Sequence, residues 1–150
     1  MPAHEVLEDR QKLHAMGRGA PVNLYMGVPY CIQTDPGKCG YCLFPVEIFT
    51  GNIDLETYFG YLKREAAMYK EALQGIPLGA VFFGGGTSNL YKEPKYFELM
   101  DLVRDLFPVI PAYVDITLEG IPQLFTRDKI KAIKEAGMNR ISMGVQQVNE

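Results

Sequence analysis

Apolar positions change period along the chain in a regular order. Asn23 to Val28 (NLYMGV) is an apolar run of strand length. Leu55, Tyr58, Phe59, Leu62, Ala66, Tyr69 and Leu73 then recur at helical spacing and predict one long helix. Asp54 is its expected N-cap, Ile53 and Tyr58 occupy the positions of a hydrophobic staple, and Gly75 and Pro77 supply the stop. Ala80 to Phe83 (AVFF) predicts a second strand ended by Gly84, Gly85 and Gly86, and Phe97, Met100, Val103 and Phe107 predict a helix after Pro94. Val114 to Leu118 (VDITL) alternates as a strand does. Thr126 caps a third helix with Ile130 and Ile133 inward and Gly137 at its end, and Arg140 to Gln146 opens a fourth strand.

Strand and helix in strict alternation imply an α/β fold with a parallel sheet and right-handed crossovers, either an open sheet or part of a barrel. In both, ligands gather at the C-terminal ends of the strands. The chemistry-bearing residues fall there: cysteines after the first strand, glycines after the second, Glu119 after the third, Gln146 and Gln147 at the end of the fourth. An eight-unit barrel takes ~250 residues, so the working protein is expected to be longer than this chain or to be completed by another.

Composition narrows the class. The 150 residues are 47% hydrophobic and 22% charged, enough apolar material for one globular core. With 15 Lys+Arg against 18 Asp+Glu the net charge is −3, so no basic excess points to nucleic acid or an anionic membrane, and a small-molecule substrate is favoured. The stretch before the first strand, residues 1–22, reads as a polar extension without the apolar core of a signal peptide. A cytoplasmic location is expected.

Cys31, Cys39 and Cys42 are the only cysteines, and they lie within one twelve-residue stretch, CIQTDPGKCGYC. An odd number so closely spaced favours reduced ligands over disulfides. Three thiolates can each take one iron of a cubane and leave the fourth iron open to another ligand. A structural zinc site fits poorly, because closure takes four ligands and the only histidines, His4 and His14, lie in the N-terminal stretch.

YMGVPYC with CGYC, FFGGGTS, ITLEGIP and MNRISMGVQQ, in that order from about Asn23 onward, resemble the successive motifs of radical S-adenosylmethionine (SAM) enzymes, in particular the oxygen-independent coproporphyrinogen III oxidase and haem-chaperone group. The resemblance implies a partial (βα) barrel, with residues 23–150 as the N-terminal part of the core domain. It implies a 4Fe-4S cluster on Cys31, Cys39 and Cys42, with SAM chelating the remaining iron and cleaved to a 5′-deoxyadenosyl radical that abstracts a substrate hydrogen. Tyr25 matches the tyrosine beside SAM and Tyr41 the aromatic beside the adenine, although either would also serve in packing. Gly85, Gly86 and Thr87 match the segment bordering SAM, where missing side chains admit a close approach; a tight strand-to-helix turn would use the same glycines. Glu119 and Gln146 match polar residues that face SAM, with hydrogen-bonding groups suited to ribose hydroxyls or an ammonium.

The implied activity is that of an oxidoreductase of porphyrin biosynthesis, the oxidative decarboxylation of a porphyrinogen, with an electron donor such as flavodoxin or ferredoxin. A haem-binding chaperone and a radical SAM methyltransferase or cyclopropane-forming relative share the same core. This chain departs from the group pattern in three places. Seven residues, Ile32 to Lys38, separate the first two cysteines where the group has three; Gly27 replaces a histidine; Ser88 replaces a proline. Asp35, Pro36 and Gly37 are turn formers, so the extra residues are expected to bulge outward and leave the three sulfurs in place.

Overall fold

A computed structural model describes residues 20–33, 39 and 42–145, together with residues 5, 8, 9, 12, 15 and 16. Among these, strand β1 (Val22–Val28) leads through two short parallel-paired strands, β2 (Tyr30–Cys31) and β3 (Glu47–Ile48), to helix α1 (Asn52–Tyr69). Then follow β4 (Leu78–Gly85), α2 (Glu93–Leu106), β5 (Asp115–Gly120), α3 (Arg127–Ala136) and β6 (Arg140–Met143). The main sheet is all parallel in the order β1-β4-β5-β6. Every crossover steps the same way along the sheet. With right-handed connections this lays the helices on one side, the progression of a barrel wall; a doubly wound sheet would reverse direction from its first strand.

Alternation along each strand separates the two faces. Met26 and Val28 align with Phe83 and its neighbours, and Val81 and Phe83 with Ile116 and Leu118; all are buried in one core with Leu55, Phe59, Leu99, Val103 and Ile133 of the helices. Each such side chain contributes about 1.5–3 kcal/mol on burial. A one-residue slip of any strand would turn that set out of the core, so the register is strongly specified. The opposite face carries Tyr25 beside Phe82, Gly27 beside Gly84, Phe82 beside Thr117, and Glu119 beside Ser142. It is aromatic and polar.

Side-chain amides and caps fix the joints. Asn139 accepts from the Ile116 N–H and donates to the Val114 carbonyl, both at 2.8 Å, which sets where β6 enters beside β5. Thr126 accepts from the Lys129 N–H at 3.2 Å, and Gly137 closes α3 at φ +108°, as the sequence predicts.

Elsewhere the structure corrects the sequence expectations. Helix α1 begins two residues before Asp54, with Gly51 at the N-cap. Asp54, in the first turn, instead accepts from the Thr50 N–H at 3.1 Å and the Thr50 hydroxyl at 2.6 Å, which holds its carboxyl below the usual range. Ile53 is 73% exposed and forms no staple. On α2 the inward residues are Tyr96, Leu99, Met100, Val103 and Leu106, whereas Phe97 faces outward, because the Tyr96 hydroxyl donates to the Tyr91 carbonyl and draws that side in. On α3 Ile130 is exposed and Ala132, Ile133 and Ala136 are buried. The second strand continues through Gly85, and β6 ends at Met143.

Candidate cluster and SAM site

The C-terminal end of β1 turns at Pro29 into β2, which delivers Cys31. β2 is anchored along β3: Phe49 N–H donates to the Cys31 carbonyl and Glu47 N–H to the Pro29 carbonyl, each at 2.8 Å. Cys39 and Cys42 belong to one turn, with the Cys42 N–H donating to the Cys39 carbonyl at 2.9 Å. All three cysteines are unbridged and half-buried. Burial pushes the Cys31 thiol up; a hydrogen bond from the Thr87 side chain pulls it back, and the nearby Cys42 and Cys39 push it up again.

The glycine segment after β4 packs tightly on this turn. Gly86 N–H donates to the Val28 carbonyl at 2.6 Å and Thr87 N–H to the Tyr30 carbonyl at 2.8 Å. A Cβ on Gly86 would lie 2.8 Å from the Tyr30 carbonyl carbon and closer still to its oxygen, and Gly85 sits at φ +104°. These glycines therefore answer first to the close approach of β1 and β2, and two of the segment's amides are already engaged there. Buried Ser88, at the departure from the group's proline, donates its hydroxyl to the Gly84 carbonyl at 2.9 Å.

Glu119 leans over the same segment. Its carboxylate oxygen lies 2.8 Å from the place a Gly84 Cβ would occupy. Burial raises its carboxyl above the usual range, and a hydrogen bond from the Gly85 backbone partly offsets that. Tyr25, 51% exposed, stacks on Phe82 with ring centroids 5.8 Å apart and 7° between planes. Its phenol is raised by burial and by Glu119. Backbone bonds from Gly86 and Thr87 thus join the glycine segment to the turn before Cys31, and Glu119 overhangs Gly84 at the end of β4.

Tyr41 and Gln146, and the Asp35-Pro36-Gly37 turn, lie outside the described residues. The sequence pattern did not single out Phe82, whose role follows only from its pairing with Tyr25, nor Tyr58 as a site support. The Tyr58 hydroxyl donates to the Gly27 carbonyl at 2.8 Å, and its ring meets Tyr30 edge-on.

The donor set suits a cubane. Three unbridged thiolates are available, and a cubane asks each to take a different iron. Thiolates are soft anionic donors to iron, and a hydroxyl beside one is the kind of hydrogen bond that tunes such a centre. Beside them, a half-buried carboxylate and the exposed Tyr25 stacked on half-buried Phe82 offer polar and stacking contacts to a nucleoside.

The fold is an α/β barrel wall with its candidate chemistry at the strand ends. The Radical SAM superfamily pattern matches residues 36–150, and the chain belongs to that superfamily. Membership implies a 4Fe-4S cluster and SAM as cofactors. The chain is 34% identical over 130 residues to the heme chaperone HemW of Escherichia coli (strain K12), covering 87% of this chain and 33% of that protein. It is 32% identical over 135 residues to the oxygen-independent coproporphyrinogen III oxidase of Bradyrhizobium diazoefficiens, covering 89% and 29%. The solved coproporphyrinogen III oxidase HemN of Escherichia coli, described as a radical SAM enzyme, superposes with a TM-score of 0.80 at 25% identity, over 92% of this chain and 31% of that one. The chain thus spans about a third of the length of these relatives. Among the described residues no helix is long and apolar enough to cross a membrane.

Proposed function

We propose that this chain carries the cofactor site of a radical SAM oxidoreductase resembling oxygen-independent coproporphyrinogen III oxidase, acting on a porphyrinogen by oxidative decarboxylation. The observation that supports it most is the packing of three strand ends on one another: the Thr87 N–H donates to the Tyr30 carbonyl beside Cys31, and the Glu119 carboxylate lies over Gly84. When bound, the cluster and SAM supply a 5′-deoxyadenosyl radical for hydrogen abstraction.

The chain's own residues aim and shield that chemistry. Cys31, Cys39 and Cys42 hold the cluster, and the Thr87 hydroxyl stabilises the Cys31 thiolate. Glu119, beside Gly85 and Gly86, accepts hydrogen bonds from the ligand's hydroxyl or ammonium groups, and the Tyr25–Phe82 pair gives it an apolar wall. Tyr41 and Gln146 complete the set on their motif positions. A flavodoxin or ferredoxin supplies the electron, the location is cytoplasmic, and neither nucleic acid nor membrane is a partner.

A second reading, a haem chaperone on the same scaffold, is favoured by the 34% identity to a protein of that name. One experiment separates the two. Anaerobically reconstituted full-length protein with SAM, dithionite and coproporphyrinogen III is expected to form 5′-deoxyadenosine and a decarboxylated product. A Soret band on haem titration, with no 5′-deoxyadenosine under any reductant, would favour the carrier.

A further inference from the structure

Asn89 follows the glycine segment, is fully buried, and spends its whole side chain on a neighbouring strand end. Its Nδ2 donates to the Ile121 carbonyl at 2.9 Å and its Oδ1 accepts from the Ile121 N–H at 3.2 Å. One amide thus closes a two-bond ring on the backbone just past Glu119 and Gly120. Gly120 makes room for it: a Cβ there would lie 2.5 Å from Nδ2 and nearer still to the other amide atoms. The Asn89 carbonyl in turn accepts from Lys129 Nζ of α3 at 2.6 Å.

Glu119 is therefore bordered at its side chain by the end of β4 and at its main chain by the turn that follows. Its carboxylate rests against Gly84, and the main chain after it is tied to Asn89. Loss of the amide would leave the Ile121 N–H unpaired and its carbonyl with only the Leu124 N–H at 3.2 Å, and the end of β5 would be free to shift against the end of β4. Aspartate would keep the acceptor and lose the donor; alanine would lose both.

We propose that Asn89 is a positioning residue that fixes Glu119 against the Gly85–Thr87 segment and so sets the affinity for SAM without touching it. This rests on the reading above in which Glu119 contacts SAM. A displacement of this kind should act mainly on binding, because the Cys31 carbonyl is held separately, by the Phe49 N–H just after β3.

The test uses reconstituted full-length protein, with SAM affinity measured by equilibrium dialysis beside iron content and the 5′-deoxyadenosine rate at saturating SAM. Asn89→Ala is expected to weaken SAM binding on the order of tenfold, as loss of an orienting partner typically does, with iron content unchanged and the saturated rate largely kept. Asn89→Asp should fall between alanine and wild type, and it carries the test if the alanine variant does not fold. Val103→Ala, a buried change on α2 away from the site, should lower the melting temperature and leave SAM affinity unchanged. Unaltered SAM affinity in both Asn89 variants, or an equal loss in Val103→Ala, would overturn the proposal. Glu119→Gln is measured alongside: if it binds SAM as wild type does, the assignment of Glu119 itself fails, whatever Asn89 does.

Discussion

Gly86→Ala separates two reasons for the glycine segment, room for a ligand and room for the protein's own backbone. The added methyl would overlap the Tyr30 carbonyl, and its other near neighbour is the Val28 carbonyl oxygen at 3.0 Å. Both are main chain, and neither can move without moving Cys31. Forcing them apart stretches the Gly86 N–H to Val28 bond of 2.6 Å and the Thr87 N–H to Tyr30 bond of 2.8 Å. Two such bonds at about 0.5–1.5 kcal/mol each, with about 1–3 kcal/mol for overpacking, give a loss near 4 kcal/mol. For a unit of this size that lowers the melting temperature by about 8–16 °C. The assay is thermal unfolding of the metal-free protein, followed by circular dichroism. Because the clash is with the chain itself, the loss is expected with no cofactor present. A metal-free melting temperature equal to wild type, with only SAM binding lost, would refute the packing argument.

Two further predictions concern charge. Glu119 has its carboxyl raised, so its folded pKa lies above the unfolded value of about 4.3; its charge therefore costs stability that is absent at low pH and appears as pH rises through the folded value. Glu119→Gln should raise the melting temperature of the metal-free protein at neutral pH, lose that advantage below the carboxylate range, and weaken SAM binding; equal melting curves at all pH values would contradict the first part. Lys95, whose side chain is buried, pairs with Glu56 at 2.8 Å and Glu98 at 2.9 Å. Its hydrogen bond holds the Glu98 carboxyl below the usual range, so that contribution is present above about pH 4.3 and lost as pH falls through the lower folded value. Lys95→Met should flatten this acid limb in a melting-temperature series from neutral to acid pH, and an unchanged limb would count against the pairing.

The strand–helix rhythm and the strand-end chemistry were legible because both rest on local signals. The 3.6-residue spacing through Leu55, Phe59, Leu62 and Ala66 is the buried stripe of α1, and Thr126 and Gly137 mark the ends of α3 as read. Periodicity does less well where two phases compete. Phe97 and Ile130 fit an apolar stripe on paper, but the contacts of Tyr96 and Ile133 decide which side faces the sheet. Asp54 has the chemistry of a cap, yet Gly51 takes that place and Asp54 reaches back to Thr50. The partners that only tertiary contact creates could not be read at all. Phe82 stacks on Tyr25 because β1 lies beside β4, and Asn89 finds Ile121 thirty-two residues away.

The central claim is that Cys31, Cys39 and Cys42 hold a cluster that SAM reaches beside Glu119. Its most direct test is iron and sulfide analysis, with electron paramagnetic resonance of the reduced, reconstituted protein recorded before and after adding SAM. About four irons per chain and a signal that changes on SAM addition are predicted, with the iron lost in Cys39→Ala. Undiminished iron in Cys39→Ala, or a cluster signal that SAM leaves unaltered, would contradict it.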